Sequence, residues 1–484
     1  MREQQPDKRI HNFDEVPLGY SEQEATREAA RCFNCKNAPC IKGCPVHIDI
    51  PKFIQQIVES DFASAYQTIK LTNNLPAVCG RVCPQEEQCQ KNCVAGIKGE
   101  PIQIGKLERF LADWADEYMG EVPQSTNDAI PESHAIPAKA GIQPEWLEIS
   151  KHSPPEPSAT EPLDAELSPT EMRCPERSRR VEVAIIGSGP AGLTCAADLA
   201  NLGYRVTIFE SLHAPGGVLL YGIPEFRLPK QIIQKEIEAI QKLGVEIRVN
   251  AIIGKLFTLD ELINEQNFQA VFIGTGAGLP TIPDLPGNNL FGVYSANEYL
   301  TRVNMMRSYQ FPNTVTPLNV GAKVGVMGGG NVAMDSARTS LRLGAQEVHI
   351  IYRRGQDELP ARQEEAHHAR EEGVIFDFLV NPVELIGNQS QQLTGIKCQK
   401  MELGQPDTSG RRRPVPIADS EFTLALDTFV FAIGQNPNPI LITNTPSLKT
   451  GKYGYIEADP DTLATSIPGV FAGGDIIGGS TVIQ

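Results

Sequence analysis

The stretch VAIIGSGPAGL, residues 183–193, determines the fold class of this chain. A β-branched strand at 183–186 runs directly into a G-x-G-x-x-G pattern, and a helical stretch follows at 193–202. The next strand, at 205–209, ends in Glu210. Strand, glycine turn, helix and terminal acid together form the βαβ unit that binds dinucleotides. An isolated glycine pattern is weak evidence, whereas the complete unit is specific.

Each glycine of this unit has a separate task. Gly187 permits the tight turn, Gly189 lets the backbone approach the pyrophosphate, and Gly192 lets the helix pack closely on the strand. The helix N-terminus would receive the phosphates, and Glu210 would accept hydrogen bonds from ribose hydroxyls. The predicted contacts of this first site are Gly187, Gly189, Pro190, Ala191, Gly192 and Glu210.

A second nucleotide unit follows at 323–354. Its strand leads into GGGNVA (328–333), and alanine is tolerated at the third glycine position. The strand at 348–352 ends in Arg353 and Arg354, where the first unit has an acid; arginine there suits a 2′-phosphate and favours NADP over NAD. The alternative is a pair of solvated surface arginines. The predicted contacts are Gly328, Gly330, Asn331, Val332, Ala333, Arg353, Arg354 and, as a third phosphate ligand, Arg362.

Short glycine-rich pieces bracket the second unit. IGTG (273–276) precedes it, FAIG (431–434) follows it, and GVFAGGD (469–475) comes near the end. Asp475 stands beside glycines at a strand end, where an acid reaches a flavin ribityl chain or phosphate. Strands alternate with helices from Val181 onward, which predicts parallel sheets covered on both faces. The expected architecture is α/β, with an NADP-binding Rossmann-like domain nested in an FAD-binding one.

Eight of the eleven cysteines lie between Cys32 and Cys93. The first group reads C-x2-C-x4-C-x3-C-P and the second C-x3-C-P-x4-C-x3-C, which partly match the ferredoxin run. Two Cys-Pro pairs and eight thiols predict two [4Fe–4S] clusters. Zinc is the main rival, and disulfides are less favoured in a cytosolic chain. No C-x-x-C or C-x4-C pair follows Val181, so a dithiol relay is not expected, and Cys195 and Cys398 are expected to be packed interior thiols.

The order of these motifs predicts five segments. They are a helical [4Fe–4S] domain at 1–120, a linker or insertion at 121–180 that includes Cys174, the first part of the FAD-binding domain at 181–288, the NADPH-binding domain at 289–427, and the second part of the FAD-binding domain at 428–484, expected to be incomplete at its C-terminus. The linker is rich in Pro, Ser, Glu and Ala and cannot form a core, so we expect cofactor binding without it.

Composition excludes several classes of function. The formal net charge is −16, which argues against nucleic-acid binding because that requires a basic surface. The first nine residues have no signal-peptide core, and no apolar run approaches the 18 residues of a membrane span. The expectation is a soluble, cytoplasmic protein without a membrane span.

Taken together, the motifs resemble the small (beta) subunit of NADPH-dependent glutamate synthase and its relatives. Those relatives are the NADP-binding subunit of NADH-dependent ferredoxin:NADP oxidoreductase, sulfide dehydrogenase and the N-terminal half of dihydropyrimidine dehydrogenase. The resemblance is carried by CFNCKNAPCIKGCPVHIDIP (32–51), CGRVCPQEEQC (79–89), IGKLERF (104–110), VAIIGSGPAGL (183–193), YGIPEFRLPK (221–230), VMGGGNVAMD (326–335) and VFAGGDIIGG (470–479). It covers almost the whole chain outside 121–180.

The resemblance implies ligands for each cofactor. One cluster would use Cys32, Cys35, Cys40 and Cys93, and the other Cys44, Cys83, Cys89 and Glu108. Counting thiols alone makes Cys79 the eighth ligand instead, so the choice between Glu108 and Cys79 stays open. For the flavin the implied residues add Gly217, Leu219, Thr275, Gly276, Gly474 and Asp475 to the first glycine unit.

The resemblance also implies an activity. An electron-input subunit would pass a hydride from NADPH to FAD and then single electrons through the clusters to a second, electron-accepting subunit. No side-chain acid or base is required for that chemistry. The partner implied first is the large subunit of glutamate synthase, and the alternative is a ferredoxin-linked flavoprotein or a sulfide dehydrogenase partner. The sequence stops at Gln484, where the family continues into a helix, so a truncated, non-catalytic fragment is a third alternative.

Overall fold

The computed structural model describes residues 2–119, 181–407 and 410–478. The predicted linker at 121–180, with Cys174, lies outside the described residues. The elements of the first 119 residues are helical: α1 (Pro6–Arg9), α2 (Glu22–Ala29), α3 (Pro39–Gly43), α4 (Ile50–Val58), α5 (Phe62–Lys70), α6 (Pro76–Val82) and α7 (Ile104–Tyr118). The later helices are α8 (Pro190–Asn201), α9 (Val218–Tyr221), α10 (Lys230–Lys242), α11 (Leu259–Asn264), α12 (Ala296–Asn304), α13 (Asn331–Arg342), α14 (Gln363–Glu371) and α15 (Pro439–Thr443).

Within the described residues, the strands lie after residue 181. They are β1 (Glu182–Ile186), β2 (Arg205–Phe209), β3 (Glu246–Arg248), β4 (Ala270–Ile273), β5 (Leu279–Pro280), β6 (Val293–Ser295), β7 (Lys323–Met327), β8 (Glu347–Tyr352), β9 (Ile375–Phe378), β10 (Val380–Gly387), β11 (Leu393–Pro406), β12 (Arg412–Leu424), β13 (Thr428–Phe431), β14 (Gln435–Asn436) and β15 (Val470–Ala472). No helix within the described ranges combines the length and the apolar character that crossing a bilayer requires.

The helical domain follows its local sequence signals. Ser21 accepts a hydrogen bond from the backbone of Glu24, whose side chain accepts one in return, so α2 opens with the predicted capping box. The apolar stretch at 51–69 is divided between α4 and α5, because Asp61 caps a new helix by accepting from the backbone N–H of Ser64.

Two five-stranded parallel sheets form the rest of the architecture. The first has the order β15-β4-β1-β2-β3 and the second β6-β13-β7-β8-β9, and every pair within them is parallel. The second sheet lies, in the chain, between β4 and β15 of the first. The predicted nesting of one nucleotide-binding fold inside the other is therefore correct, and β10, β11 and β12 add a small antiparallel sheet.

One predicted boundary needs correction. We expected residues 428–484 to belong to the first sheet, but β13 pairs in parallel with β6 and β7 and is a strand of the second sheet. The antiparallel pair of β5 and β14 then marks where the chain leaves the first sheet and where it returns. A short apolar strand carries no signal that tells which of two similar sheets it joins, so the boundary was placed one strand too early.

The helical domain packs directly on the first sheet's helices. Leu75, Val78 and Val82, on or beside α6, share one buried core with Leu193 of α8 and Ile237 of α10. The continuity of this core fixes the position of the cysteine-rich turns relative to the first glycine loop.

Candidate cofactor sites

The first glycine loop has a shape that only glycine permits. Gly187 has a φ of +100°, and a Cβ there would lie 2.6 Å from the carbonyl oxygen of Gly274 on the neighbouring strand. A Cβ on Gly192 would lie 2.0 Å from the carbonyl oxygen of Gly187. In contrast, nothing lies within 4 Å of a Cβ on Gly189. The loop is thus closed toward the sheet and open on the side where a pyrophosphate would approach.

Glu210 is buried and organises this loop. One carboxylate oxygen accepts hydrogen bonds from the backbone N–H of Ser188, at 3.0 Å, and from its hydroxyl; the other accepts from the backbone of Leu212 at 2.7 Å. The hydroxyl of Ser188 in turn accepts from the backbone of Gly216. Sequence analysis missed Ser188, because an x position of the glycine pattern carries no signal.

The remaining predicted flavin residues lie around the same loop. Gly217 has a φ of +53°, and a Cβ there would lie 2.8 Å from the Cα of Gly189. Leu219 is fully buried, whereas Thr275 is exposed and adjoins Gly187. Thr275 and Gly276 follow β4, and Gly474 and Asp475 follow β15, so parallel pairing brings both pairs to the carboxyl edge of the sheet. Burial raises the pKa of Asp475.

The second glycine loop repeats this geometry. Gly328 has a φ of +148°, and a Cβ there would lie 2.2 Å from the carbonyl oxygen of Ala432. Nothing lies within 4 Å of a Cβ on Gly330, as at Gly189. Helix α13 begins at Asn331 without a side-chain cap, Val332 is exposed, and Ala333 is buried. Both loops therefore present an uncapped helix start to open space, which suits a phosphate.

The three predicted phosphate-binding arginines have different environments. Arg353 is exposed. Arg354 is buried, pairs with Asp407 at 2.8 Å and donates to the carbonyl of Arg412 at 2.9 Å. Arg362 is buried as well and donates to the carbonyl of Arg81 in the helical domain at 3.1 Å. Only Arg353 of these three has a solvent-facing side chain; the other two hold protein segments together.

A cavity at the junction of α6 and α7 collects one of the two implied ligand groups. It is partly open to solvent, and its walls include Cys44, Cys79, Cys83, Cys89 and Glu108. Both candidates for the eighth ligand, Glu108 and Cys79, therefore face the same space. The geometry alone does not choose between them.

Asn73 connects these two candidates and was missed by sequence analysis. Its amide nitrogen donates to Glu108 at 2.7 Å, and its amide oxygen accepts from the thiol of Cys79 at 3.4 Å. Burial raises the pKa of Glu108 to about 8, although the hydrogen bond from Asn73 acts to lower it. The nearby thiol of Cys83, burial and Glu108 raise the pKa of Cys79. When ionised, a buried carboxyl and buried thiols carry negative charge that the positively charged core of an iron–sulfur cluster would compensate. These residues therefore fit such a group.

Of the other implied group, Cys32, Cys40 and Cys93 pack against the helical domain's own core. Cys32, Cys35, Cys40 and Cys93 are half-buried. Burial, and then repulsion from Cys93, raises the pKa of Cys40 to about 11; burial also raises that of Cys32, with a contribution from Cys93 and Cys35. Cys44 and Cys89 instead interact with Cys83 and Glu108. Cys32, Cys35, Cys40 and Cys93 thus lie near one another, and Cys44, Cys83, Cys89 and Glu108 lie near one another.

The two groups lie in order from the first sheet outward. Cys79 and Cys83 pack in the core shared with α8 and α10. Cys44 and Cys89 belong to the helical domain's own core, and the half-buried group at Cys32, Cys40 and Cys93 packs at the margin of that core. The cavity group is therefore the nearer to the flavin loop, and the half-buried group is the farther; we call them the proximal and the distal cysteine group. Of the single thiols, Cys398 is buried and Cys195 is half-buried, as expected for packing thiols.

Comparison with known proteins identifies both regions of the chain. Residues 9–119 match the family model "Dihydropyrimidine dehydrogenase domain II, 4Fe-4S cluster", and residues 181–484 match "Pyridine nucleotide-disulphide oxidoreductase". The chain is 40% identical over 92% of its length to the NADP(+)-dependent formate dehydrogenase subunit beta of Moorella thermoacetica, and it spans 58% of that relative. It is 32% identical to the glutamate synthase [NADPH] small chain of Escherichia coli over 97% of its own length and 90% of that protein.

The fold is found again in a solved structure. The structure of Mycobacterium tuberculosis FprA in complex with NADPH aligns with 62% of this chain and 79% of that chain, with a TM-score of 0.50 and 21% identity. Since the small chains of glutamate synthase match nearly from end to end, and since the two family models cover the helical and the α/β regions, the chain belongs to the family of glutamate synthase small chains and related iron–sulfur flavin oxidoreductase subunits.

Proposed function

We propose that this chain is the electron-input subunit of a multi-subunit oxidoreductase, and that it passes reducing equivalents from NADPH to a partner. When bound, FAD would turn a hydride into single electrons, and two [4Fe–4S] clusters would carry them. The observation that carries this proposal is the spatial order of the sites. Support comes from packing: Cys79 and Cys83 pack in the core shared by α6, α8 and α10, whereas Cys32, Cys40 and Cys93 pack against the helical domain's own core.

The first glycine loop is proposed as the FAD site. Its uncapped helix start at Pro190 and Ala191 would hold the pyrophosphate, with the open backbone at Gly189 facing it. Glu210 is buried and held by Ser188, so it is positioned to accept from a ribose hydroxyl without moving. Asp475, with its pKa raised by burial, would meet the flavin's polar chain at the same edge.

The second glycine loop is proposed as the NADPH site. The helix start at Asn331 would hold the pyrophosphate, and Arg353 would bind the 2′-phosphate. Arg354 and Arg362 are assigned a supporting role, because each is already held by protein groups: Arg354 by Asp407, and Arg362 by the carbonyl of Arg81. Arg362 also fixes Asn331, whose side-chain oxygen accepts from the backbone N–H of Arg362 at 2.9 Å.

The cluster ligands are proposed in two sets. The distal set is Cys32, Cys35, Cys40 and Cys93, and the proximal set is Cys44, Cys83, Cys89 and Glu108. The seven cysteines of these two sets are free thiols, and reduced thiols of this number fit a reducing compartment such as the cytoplasm. We favour Glu108 over Cys79 on the resemblance alone, because Asn73 is hydrogen-bonded to both side chains.

The proposed partner is the large subunit of glutamate synthase, because this chain spans 90% of the length of that enzyme's small chains. A second candidate has its own support. The relative at 40% identity is the beta subunit of an NADP(+)-dependent formate dehydrogenase, although the chain spans only 58% of it. A partner of that kind would make formate oxidation, rather than glutamate formation, the reaction coupled to NADP.

The test uses the purified full-length chain. Anaerobic preparations are expected to contain about one FAD and about eight iron atoms per chain, the content of two [4Fe–4S] clusters. NADPH should bleach the flavin absorbance. Stoichiometric zinc with little iron, or a chain without flavin, would overturn the proposal; absence of flavin alone would favour the non-catalytic fragment. Adding the glutamate synthase large subunit should then give NADPH-dependent glutamate formation from glutamine and 2-oxoglutarate, whereas formate-dependent NADP reduction with a dehydrogenase partner would select the second candidate.

A further inference from the structure

The surface around the distal cysteine group differs in charge from the rest of the molecule. Segments 31–42 and 91–98, which carry Cys32, Cys35, Cys40 and Cys93, contain no acidic residue. They contain five basic ones, all exposed: Arg31, Lys36, Lys42, Lys91 and Lys98. Arg31 pairs with Glu28 and Lys91 pairs with Glu87, so Lys36, Lys42 and Lys98 carry the local excess of positive charge. This excess stands out in a chain with a formal charge of −16. We call these two segments the basic rim.

The two segments form one continuous surface. A Cβ on Gly43 would lie 2.4 Å from the side-chain nitrogen of Asn92, so the segments lie against each other. Arg31 donates to the carbonyl of Glu100 at 2.8 Å, which closes the other end. Cys40 in the first segment and Cys93 in the second pack against the same hydrophobic core of the helical domain.

Two large apolar side chains stand on this surface. Phe33, between Cys32 and Cys35, is 66% exposed, and Ile97, in the turn after Cys93, is 76% exposed. Isolated exposed apolar residues are ordinary, but here one stands in each of the two segments, next to the half-buried thiols. Apolar contacts surrounded by charge are the common composition of a protein–protein interface.

We propose that the basic rim is the docking surface for an acidic protein that carries a one-electron acceptor close to its own surface. This inference rests on the proposed function and adds the chemistry of the partner. An acidic partner is repelled by a chain with a net charge of −16 as a whole and attracted by the basic rim, so the electrostatic field both steers and orients it. Phe33 and Ile97 then supply the apolar contact. Each NADPH oxidised to NADP⁺ and H⁺ releases two electrons, and these reduce two one-electron acceptors.

The experiment measures electron transfer from NADPH to three acceptors by the full-length holoprotein. The acceptors are a small acidic [2Fe–2S] ferredoxin, a basic cytochrome c, and menadione, a neutral quinone that does not need a charged docking surface. The test variant is Lys36→Glu/Lys98→Glu. Its matched control is Lys255→Glu/Lys449→Glu, which changes the net charge equally at exposed lysines elsewhere.

We expect the parent protein to reduce the ferredoxin, with a rate that falls as sodium chloride is added, and to reduce cytochrome c poorly. The test variant should lose roughly tenfold in kcat/KM for ferredoxin, which is the lower end of electrostatic steering effects. Its menadione activity should be unchanged, and the control variant should resemble the parent with all three acceptors.

Four results would overturn the docking proposal: no ferredoxin reduction by a menadione-active parent, faster reduction of cytochrome c, a rate independent of salt, or equal behaviour of the two charge-reversal variants. Absence of menadione activity and of flavin in the parent would instead refute the proposed function. Iron content is measured for each variant. If Lys36→Glu/Lys98→Glu loses iron, the docking proposal is tested instead by two measurements. They are the rate of ferredoxin reduction by the neutral variant Lys36→Gln/Lys98→Gln and the salt dependence of that rate in the parent.

Discussion

The side-chain Nε of Arg9 lies 2.7 Å from a carboxylate oxygen of Glu372, a residue 363 positions further along the chain. Arg9 is 1% exposed, and a second nitrogen of its guanidinium bonds to Glu371 at 2.8 Å. Arg338 and Arg342 of α13 bind the same Glu372. The first helix of the protein is therefore clamped to the helices that cover the second sheet.

Removing Arg9 should loosen this clamp. Arg9→Gln is expected to lower the free energy of unfolding by roughly 2 kcal/mol, the size of a buried hydrogen bond to a charged group, because Glu372 keeps its two other arginines. Arg205→Gln is the matched control: its pair with Glu182 is largely exposed and is worth about 0.5 kcal/mol. Thermal unfolding of the holoprotein, followed by circular dichroism, compares the two. Equal shifts in Tm would contradict a clamping role.

The eighth cluster ligand can be identified by a pair of substitutions. Cys79→Ser should keep both clusters, since Cys79 donates to Asn73 and serine can replace that donor. Glu108→Ala should lose or alter one cluster, because the proximal cavity then lacks its carboxylate. Iron content and low-temperature paramagnetic spectra measure both effects. The opposite pattern would restore Cys79 as the ligand.

Local patterns determined most of what the sequence could predict. The two glycine loops were recognisable because turn, close approach and helix start all depend on residues within a few positions of Gly187 or Gly328. The two cysteine groups followed from a resemblance in spacing. The capping box at Ser21 is local in the same way.

Features that depend on distant partners could not be predicted. Arg354 seemed free for a phosphate, but its carboxylate partner, Asp407, lies 53 residues away in a different strand connection. Arg362 meets the carbonyl of Arg81, which is 281 residues earlier. Asn73 has no motif at all, and its role follows only from α6 and α7 lying side by side. Such contacts are properties of the packed fold, not of any sequence window.

The three arginines near the second glycine loop should therefore respond differently to substitution. Arg353→Ala should raise KM for NADPH at least tenfold, because the variant loses a charge-assisted hydrogen bond to the 2′-phosphate. NADH has no 2′-phosphate, so its oxidation should be unchanged. Arg354→Ala should instead lower the Tm, because it breaks the buried pair with Asp407. Steady-state kinetics with both nucleotides, together with thermal unfolding, distinguish these outcomes. Equal loss of NADPH and NADH oxidation in Arg353→Ala would refute the assignment.

Lys230 is expected to hold the segment that carries Leu219. Its ammonium group donates to the carbonyls of Leu219 at 3.2 Å and Leu228 at 3.1 Å, and also to that of Ile223. Burial lowers its pKa to about 7. Lys230→Met leaves these carbonyls without a donor, so the flavin content should fall while the iron content stays constant. Lys235→Met, on the exposed face of the same helix, is the control; equal flavin loss in both variants would show a general helix effect.

His349 provides a test of pH-dependent stability in the second sheet. Its ring lies 2.6 Å from Asp377, on the neighbouring strand, and 2.9 Å from Glu347. The hydrogen bond to Asp377, followed by the one to Glu347, raises its pKa above the ordinary 6.5, although burial opposes the shift. A raised pKa means that the protonated ring stabilises the fold. That contribution is complete below pH 6.5 and is lost as the pH rises through the folded-state pKa.

The difference in Tm between the parent and His349→Gln should therefore be largest at pH 6.0 and should shrink toward pH 8.5. Glutamine keeps one hydrogen bond but does not titrate, so the variant removes the pH-dependent part. His213→Gln, in an exposed turn, should leave the Tm unchanged at both values. Iron and flavin contents are measured at both pH values, so that a change in Tm caused by cofactor loss is distinguished from a change in the stability of the fold. A difference that stays constant or grows with pH would show that the ring is neutral when it bridges Asp377 and Glu347.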